Sequence, residues 1–105
     1  SANALGYFGF TYFEENADAL RAVEIDNGAG CVAPNAETAA DGTYAPLARP
    51  LFIYVNNTSF VEKAHVAEFV KFYAANDADI AEAAAYIPLN DEASAALVSA
   101  VEAIG

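Results

Sequence analysis

The hydrophobic pattern changes character once along the chain. Up to residue 48, apolar positions come in short alternating or aromatic runs separated by glycine, proline and asparagine. From residue 59 onward they recur at helical spacing. Between the two lies Arg49-Pro50-Leu51-Phe52-Ile53-Tyr54-Val55-Asn56, a long apolar run with β-branched and aromatic residues and no alanine. That run predicts a buried strand. Pro50 fits only at its start, where a missing N–H costs no ladder bond.

In the first half, Leu5-Gly6-Tyr7-Phe8-Gly9-Phe10 reads as a strand, with Gly6 and Gly9 permitting close packing against a neighbouring strand, ligand contact being the other reading. A helix is expected over Tyr12–Ala22, with Glu14, Glu15 and Asp18 toward its start and Arg21 at its end, the order the helix dipole favours. Ala22–Asp26 alternates apolar and polar as a half-exposed strand does, and Asn27-Gly28 with Gly30 turns the chain. Val32–Asn35 is extended. Asn35 caps a short helix over Ala36–Ala40, which Asp41-Gly42 stops. Thr43–Ala48, with Pro46, is a loop leading to the central strand.

In the second half, Ser59-Phe60-Val61-Glu62 has the form of a capping box. The helix it opens carries Val66, Phe69, Val70 and Tyr73 as a core-facing stripe. Asn76-Asp77 breaks it, and a second helical piece follows over about Asp79–Ala85. Tyr86-Ile87-Pro88-Leu89 is an extended connector, because a proline disfavours helix in the residue before it. Asn90 caps a last helix with Asp91 and Glu92 in its first turn and Leu97, Val101 and Ile104 on its buried face. The fold class expected is α/β, a short mixed sheet followed by three helices.

Composition fits a single domain or a piece of one: 105 residues, 56% hydrophobic and 12% aromatic, are enough to form a core. The 15 acidic and 4 basic side chains leave a net charge of −11. Such a surface repels nucleic acid and anionic membranes and keeps the chain soluble; a saline source is the other reading. No apolar stretch approaches the roughly 18 residues of a transmembrane helix. No signal peptide precedes Ser1, and the abrupt start close to Leu5–Phe10 is expected of a fragment or a processed product.

Candidate chemistry is sparse. Cys31 is the only cysteine, so no intrachain disulfide forms, and between Gly30 and Val32 it reads as a small apolar filler. The only histidine, His65, lies in an amphipathic helix and reads as a surface residue, which leaves a Ser–His–Asp hydrolase as a weak third reading. One histidine and one cysteine do not make a zinc site, and the carboxylates lack calcium-loop spacing. The glycines around residue 28 do not form a GxGxxG phosphate loop. Asn56-Asn57-Thr58 and Asn57-Thr58-Ser59 match the glycosylation pattern, but a helix cap accounts for Thr58 and Ser59. The chain is expected to have no catalytic residue, no metal and no cofactor.

A family resemblance is carried by runs in a fixed order. Leu5–Phe10 with Tyr12-Phe13-Glu14-Glu15-Asn16 comes first, then Val32-Ala33-Pro34, Glu37-Thr38 and Asp41-Gly42-Thr43-Tyr44. Arg49–Val55, Glu68-Phe69-Val70-Lys71-Phe72-Tyr73 and Tyr86-Ile87-Pro88-Leu89 complete it. Together, over about residues 4–92, they resemble the C-terminal third of the phosphate-binding protein of bacterial phosphate ABC transporters. The resemblance implies a two-lobed, type II periplasmic-binding-protein-like fold that closes on inorganic phosphate and hands it to an ABC permease. It implies that residues 1–46 belong to the second lobe, 47–56 form the last crossing strand between lobes, and 57–105 return as helices to the first. It also implies a periplasmic protein, or an extracellular one anchored to the membrane.

The family's phosphate ligands resemble hydroxyl, backbone N–H, arginine and aspartate groups from earlier segments, and no matching motif stands here. Arg49 is the one cation near the presumed cleft, with a lobe-closing or strand-end salt bridge as its other role. The net charge does not forbid anion binding, because long-range repulsion is screened within about 8–10 Å and affinity comes from local donors. Two alternatives stand beside this reading. One is a receptor for another oxyanion, such as sulfate or molybdate. The other is a stand-alone structural or interaction module that associates with itself or with a missing N-terminal lobe, since Phe60, Phe69, Phe72 and Tyr73 would need cover in isolation.

Overall fold

Asparagine side chains set three helix starts in the computed structural model, which describes residues 3–105. Ser1 and Ala2, the first two residues of the expected second-lobe portion, lie outside the described residues. The elements run α1 (Phe10–Glu14), β1 (Ile25–Asp26), β2 (Cys31–Val32), α2 (Ala36–Ala40), α3 (Asn57–Glu62), α4 (Ala64–Ala75), α5 (Asp77–Ala83) and α6 (Asp91–Glu102). The described sheet is one antiparallel pair, Ile25 opposite Val32 and Asp26 opposite Cys31, rather than the mixed sheet expected. Four helices, not three, follow residue 56.

The local signals in the middle and at the end of the chain act as read. Asn35 Oδ1 accepts the Thr38 N–H at 2.9 Å and Thr38 Oγ1 accepts the Asn35 N–H at 3.1 Å, a reciprocal capping box that opens α2. Asn90 Oδ1 accepts the Ala93 N–H at 2.8 Å and opens α6, with Asp91 and Glu92 in its first turn. Asn76 separates α4 from α5. In the β1–β2 turn, Gly28 and Gly30 take φ of 107° and 113°, which a side chain would resist, and both donate to Asp26 Oδ1.

The first half departs from expectation. Leu5–Phe10 forms no strand; Phe10 already opens α1. Gly6 packs against no neighbouring strand but against its own chain, where a Cβ would stand 2.7 Å from the Phe8 ring. The Tyr12–Ala22 helix ends at Glu14, after one turn. Glu14 and Glu15 thus lie at the C-terminal end of α1, where the dipole disfavours carboxylates. Of the strand expected over Ala22–Asp26, only Ile25–Asp26 pairs.

The core sits entirely in the second half. Phe60, Val70, Ala74 and Val101 are buried, with Val55, Val66, Ala67, Leu97, Val98 and Ile104 packed around them. Three details differ from the pattern. Asn56 rather than Ser59 caps α3, accepting the Ser59 N–H at 2.9 Å, so the helix begins three residues earlier. Lys63, with φ −117° and ψ 100°, then breaks what reads as one helix into α3 and α4. That break turns α4 so that Val70 and Ala74 face α6 while Phe69 is 67% exposed. Ser94 Oγ donates to Asp77 Oδ1 at 2.9 Å and ties α6 to α5.

Most consequential is the central run. Residues 51–56 belong to no ladder, and Leu51, Phe52, Ile53 and Tyr54 are 65%, 71%, 46% and 93% exposed. The expected buried strand is therefore an exposed extended segment. Its composition suits a sheet interior, but among the described residues no second strand lies beside it. The consequence is visible in the outer surface of 8054 Å², against about 5,600 Å² for a folded monomer of this mass. The radius of gyration is 17.3 Å, where about 13 Å is usual for this length.

Candidate functional site

Arg49 stands where a loop gives way to the extended run. The loop is closed by the Ala48 N–H on the Tyr44 carbonyl at 2.8 Å, and the next residue is free of that turn. The Arg49 side chain is exposed and, among the described residues, makes no ion pair, so the expected salt bridge is not formed here. Asn56 lies at the other end of the run, which at roughly 3.3 Å per residue reaches up to about 23 Å. No hydrogen bond joins Arg49 to the first turn of α3, where Asn57 and Thr58 present backbone N–H groups. The donors an oxyanion would need are thus present in kind but not gathered into one cradle.

The other cations are differently engaged. The Lys71 ammonium lies 5.9 Å from the centre of the Phe60 ring, a cation–π contact that also covers the edge of the core. Lys71 shares a shallow groove between α4 and α6 with Glu102, whose carboxylate opposes an anion there. The groove formed by Phe8, Tyr12, Asn16 and Leu20 holds no cation. Lys63 forms the α3–α4 break.

His65 is exposed on the first turn of α4, as expected of a surface residue. Cys31 is exposed on β2, which corrects its reading as an apolar filler. The two-residue hairpin has no layer packed over that side chain. Among the described residues no group of three or more His, Cys, Asp and Glu side chains is placed to hold a metal ion. Two carboxylates are locally tuned. The N–H groups of Gly28 and then Gly30 hold the Asp26 carboxyl below its ordinary value of 3.8. The Thr43 hydroxyl, and then its N–H, do the same for Asp41.

Charge is unevenly distributed. Arg49, Lys63 and Lys71 all fall within residues 49–76, where only Glu62 and Glu68 oppose them. That stretch therefore carries +1, and the remainder of the chain carries −12 of the −11 total. The segregation is legible in the order of signs along the chain, though not in their total.

Comparison with known proteins adds what the geometry leaves open. The protein SphX of a Synechocystis species is 49% identical over 90 residues, 86% of this chain and 27% of SphX. SphX of Synechococcus elongatus is 42% identical over 86 residues, 81% of this chain and 25% of that protein. The phosphate-binding protein PstS of Staphylococcus epidermidis is 39% identical over 84 residues, 79% of this chain and 26% of PstS. The chain thus spans about a quarter of the length of the curated relatives it matches. No family profile matches the chain. No solved structure matches it.

Proposed function

We infer that this chain, related along 79% of its length to about a quarter of a phosphate-binding protein PstS, is a segment of a solute receptor. In its complete form that receptor binds inorganic phosphate and delivers it to an ABC permease. The observation that carries this reading is the match itself: 39% identity to PstS runs through both the hairpin half and the helical half of the chain. The same match supports a binding role rather than an enzymatic one.

In this reading the fold is the C-terminal portion of a two-lobed, type II periplasmic-binding-protein-like architecture. Residues 1–46 belong to the second lobe, 47–56 cross between lobes, and 57–105 return to the first. The distribution of burial supports the division, because every buried residue among those described lies at or beyond Phe60. The receptor works outside the cytoplasmic membrane, in the periplasm or tethered at the cell surface. Its phosphate ligands come mostly from beyond these residues, with Arg49 the one side chain here offered as a contact.

The test is a chimera in which this chain replaces the matching quarter of the S. epidermidis PstS. A ligand bound only to the folded state raises its melting midpoint, by about 2.7 kcal/mol of added stability at a hundredfold excess over Kd. The expected result is a midpoint raised by phosphate and not by sulfate, with a smaller rise in the Arg49→Ala chimera. A chimera that melts cooperatively yet ignores phosphate would overturn the reading, and a response to sulfate would redirect it to another oxyanion.

A further inference from the structure

Asn27 is exposed in the β1–β2 turn and is the only asparagine of the sequence that is followed by glycine. Its side-chain amide makes no hydrogen bond among the described residues. Asn35, Asn56 and Asn90 use theirs in helix caps, and those of Asn16 and Asn76 donate to the Tyr12 and Phe72 carbonyls at 2.9 and 2.8 Å. An amide held in this way is kept from its own backbone; that of Asn27 is not. The next backbone nitrogen belongs to Gly28, which has no Cβ to crowd an approach. No other part of the chain comes within 4 Å of where that Cβ would stand.

We propose that Asn27 is a self-modification site, converting through a cyclic imide with the Gly28 nitrogen to aspartate and isoaspartate, and that the Asp26 carboxylate restrains the reaction. The Gly28 nitrogen gives up its proton to a base and attacks Cγ of Asn27. The bond from Cγ to the side-chain nitrogen breaks, and that nitrogen leaves as ammonia with a proton returned to it. Water then opens the ring. Attack at Cγ leaves an ordinary aspartate; attack at the main-chain carbonyl carbon leaves isoaspartate, whose backbone runs through the former side chain. The net change is one amide and one water to one carboxylic acid and ammonia. Residues 26–28 and water suffice, so no other segment or copy takes part.

The restraint comes from the turn. The Gly28 N–H donates to Asp26 Oδ1 at 2.7 Å, and the Gly30 N–H reaches the same oxygen at 3.0 Å. A charged acceptor opposes loss of the Gly28 proton, which the attack requires. The same bonds fix the Gly28 nitrogen in the turn, so the hairpin must open locally before the ring can close. Conversion adds one negative charge to the −11 of the chain, placed beside Asp26. Isoaspartate also lengthens the backbone between residues 27 and 28 and so disturbs the pairing of Ile25 with Val32.

The experiment incubates the 105-residue chain in warm, mildly alkaline buffer. Tandem mass spectrometry locates each amide-to-acid conversion, and methyl transfer by an isoaspartyl methyltransferase counts isoaspartate. Asn27 is expected to convert first, ahead of Asn57, which precedes Thr58 in α3. Asp26→Ala should speed conversion at least roughly fivefold, the worth of one turn hydrogen bond. Asp41→Ala, which removes a turn carboxylate elsewhere, should leave the rate at Asn27 unchanged. Gly28→Ala should slow it in the folded chain and in urea alike, because the added Cβ hinders attack in either state. Another asparagine converting first overturns the site. An Asp26→Ala rate no higher than that of the parent chain, or an equal rise in Asp41→Ala, overturns the restraint.

Discussion

Ala85 carries the clearest local cost in the chain. It closes α5 at φ 57°, the left-handed position that glycine normally fills. Its N–H bonds the Glu82 carbonyl at 3.0 Å and the Tyr86 N–H bonds the Ala81 carbonyl at 2.8 Å, the paired bonds of a Schellman ending. The Ala85 carbonyl also accepts the Thr11 hydroxyl, so the strained residue ties α1 to the helical half. Ala85→Gly keeps those bonds and removes the Cβ clash. It should raise stability by about 1 kcal/mol, read from the urea midpoint at constant slope.

The two turn carboxylates give an acid limb of known sign. Asp26 and Asp41 have folded values below 3.8, so their contribution is fully present above that value. It is lost as pH falls through the lower folded values. The Gly28 amide resonance should titrate with a midpoint below 3.8, and Asp26→Asn should abolish that titration. A midpoint at or above 3.8 would mean that the turn is open in solution.

Among the elements, the start of α3 separates two readings of the same residues. A capping box at Ser59 and a cap at Asn56 both fit the sequence. The structure uses Asn56, whose Oδ1 meets the Ser59 N–H at 2.9 Å. Asn56→Ala should therefore cost about 1 kcal/mol, and Ser59→Ala less than about 0.5 kcal/mol, in the same denaturation assay. Equal costs would restore the box at Ser59. The earlier start matters beyond the cap, because Lys63 then interrupts the helical pattern and α4 presents Val70 and Ala74 rather than Phe69 to α6. Of the stripe Val66, Phe69, Val70 and Tyr73, Val70 is buried, Val66 packs on the core and Tyr73 is half-buried, while Phe69 alone turns outward.

For the molecule as a whole, helices and turns carry one half and an unpaired segment carries the consequence. The core of Phe60, Val70, Ala74 and Val101 links residues far apart in sequence through α3, α4 and α6. The first half contributes no buried residue among those described, and its single strand pair is two residues long on each side. The extents of 55 by 28 by 19 Å follow from that imbalance. The chain spans about a quarter of its relatives' length, and among its described residues the sheet-forming run 51–55 has no second strand.

The caps at Asn35 and Asn90, the break at Asn76, the turn at Gly28 and Gly30 and the surface position of His65 were all legible in the order of residues. In the caps and the turn the partner lies within four positions, so local chemistry suffices. The likeness to one part of a phosphate-binding protein was legible too, because it rests on the order of runs. Three-dimensional packing decided the rest: which face of α4 turns inward, whether Cys31 is covered, whether Arg49 meets a carboxylate, and whether Leu51–Val55 becomes a strand. Each depends on groups distant in sequence, and a ladder in particular needs a second strand that no propensity within the first can supply.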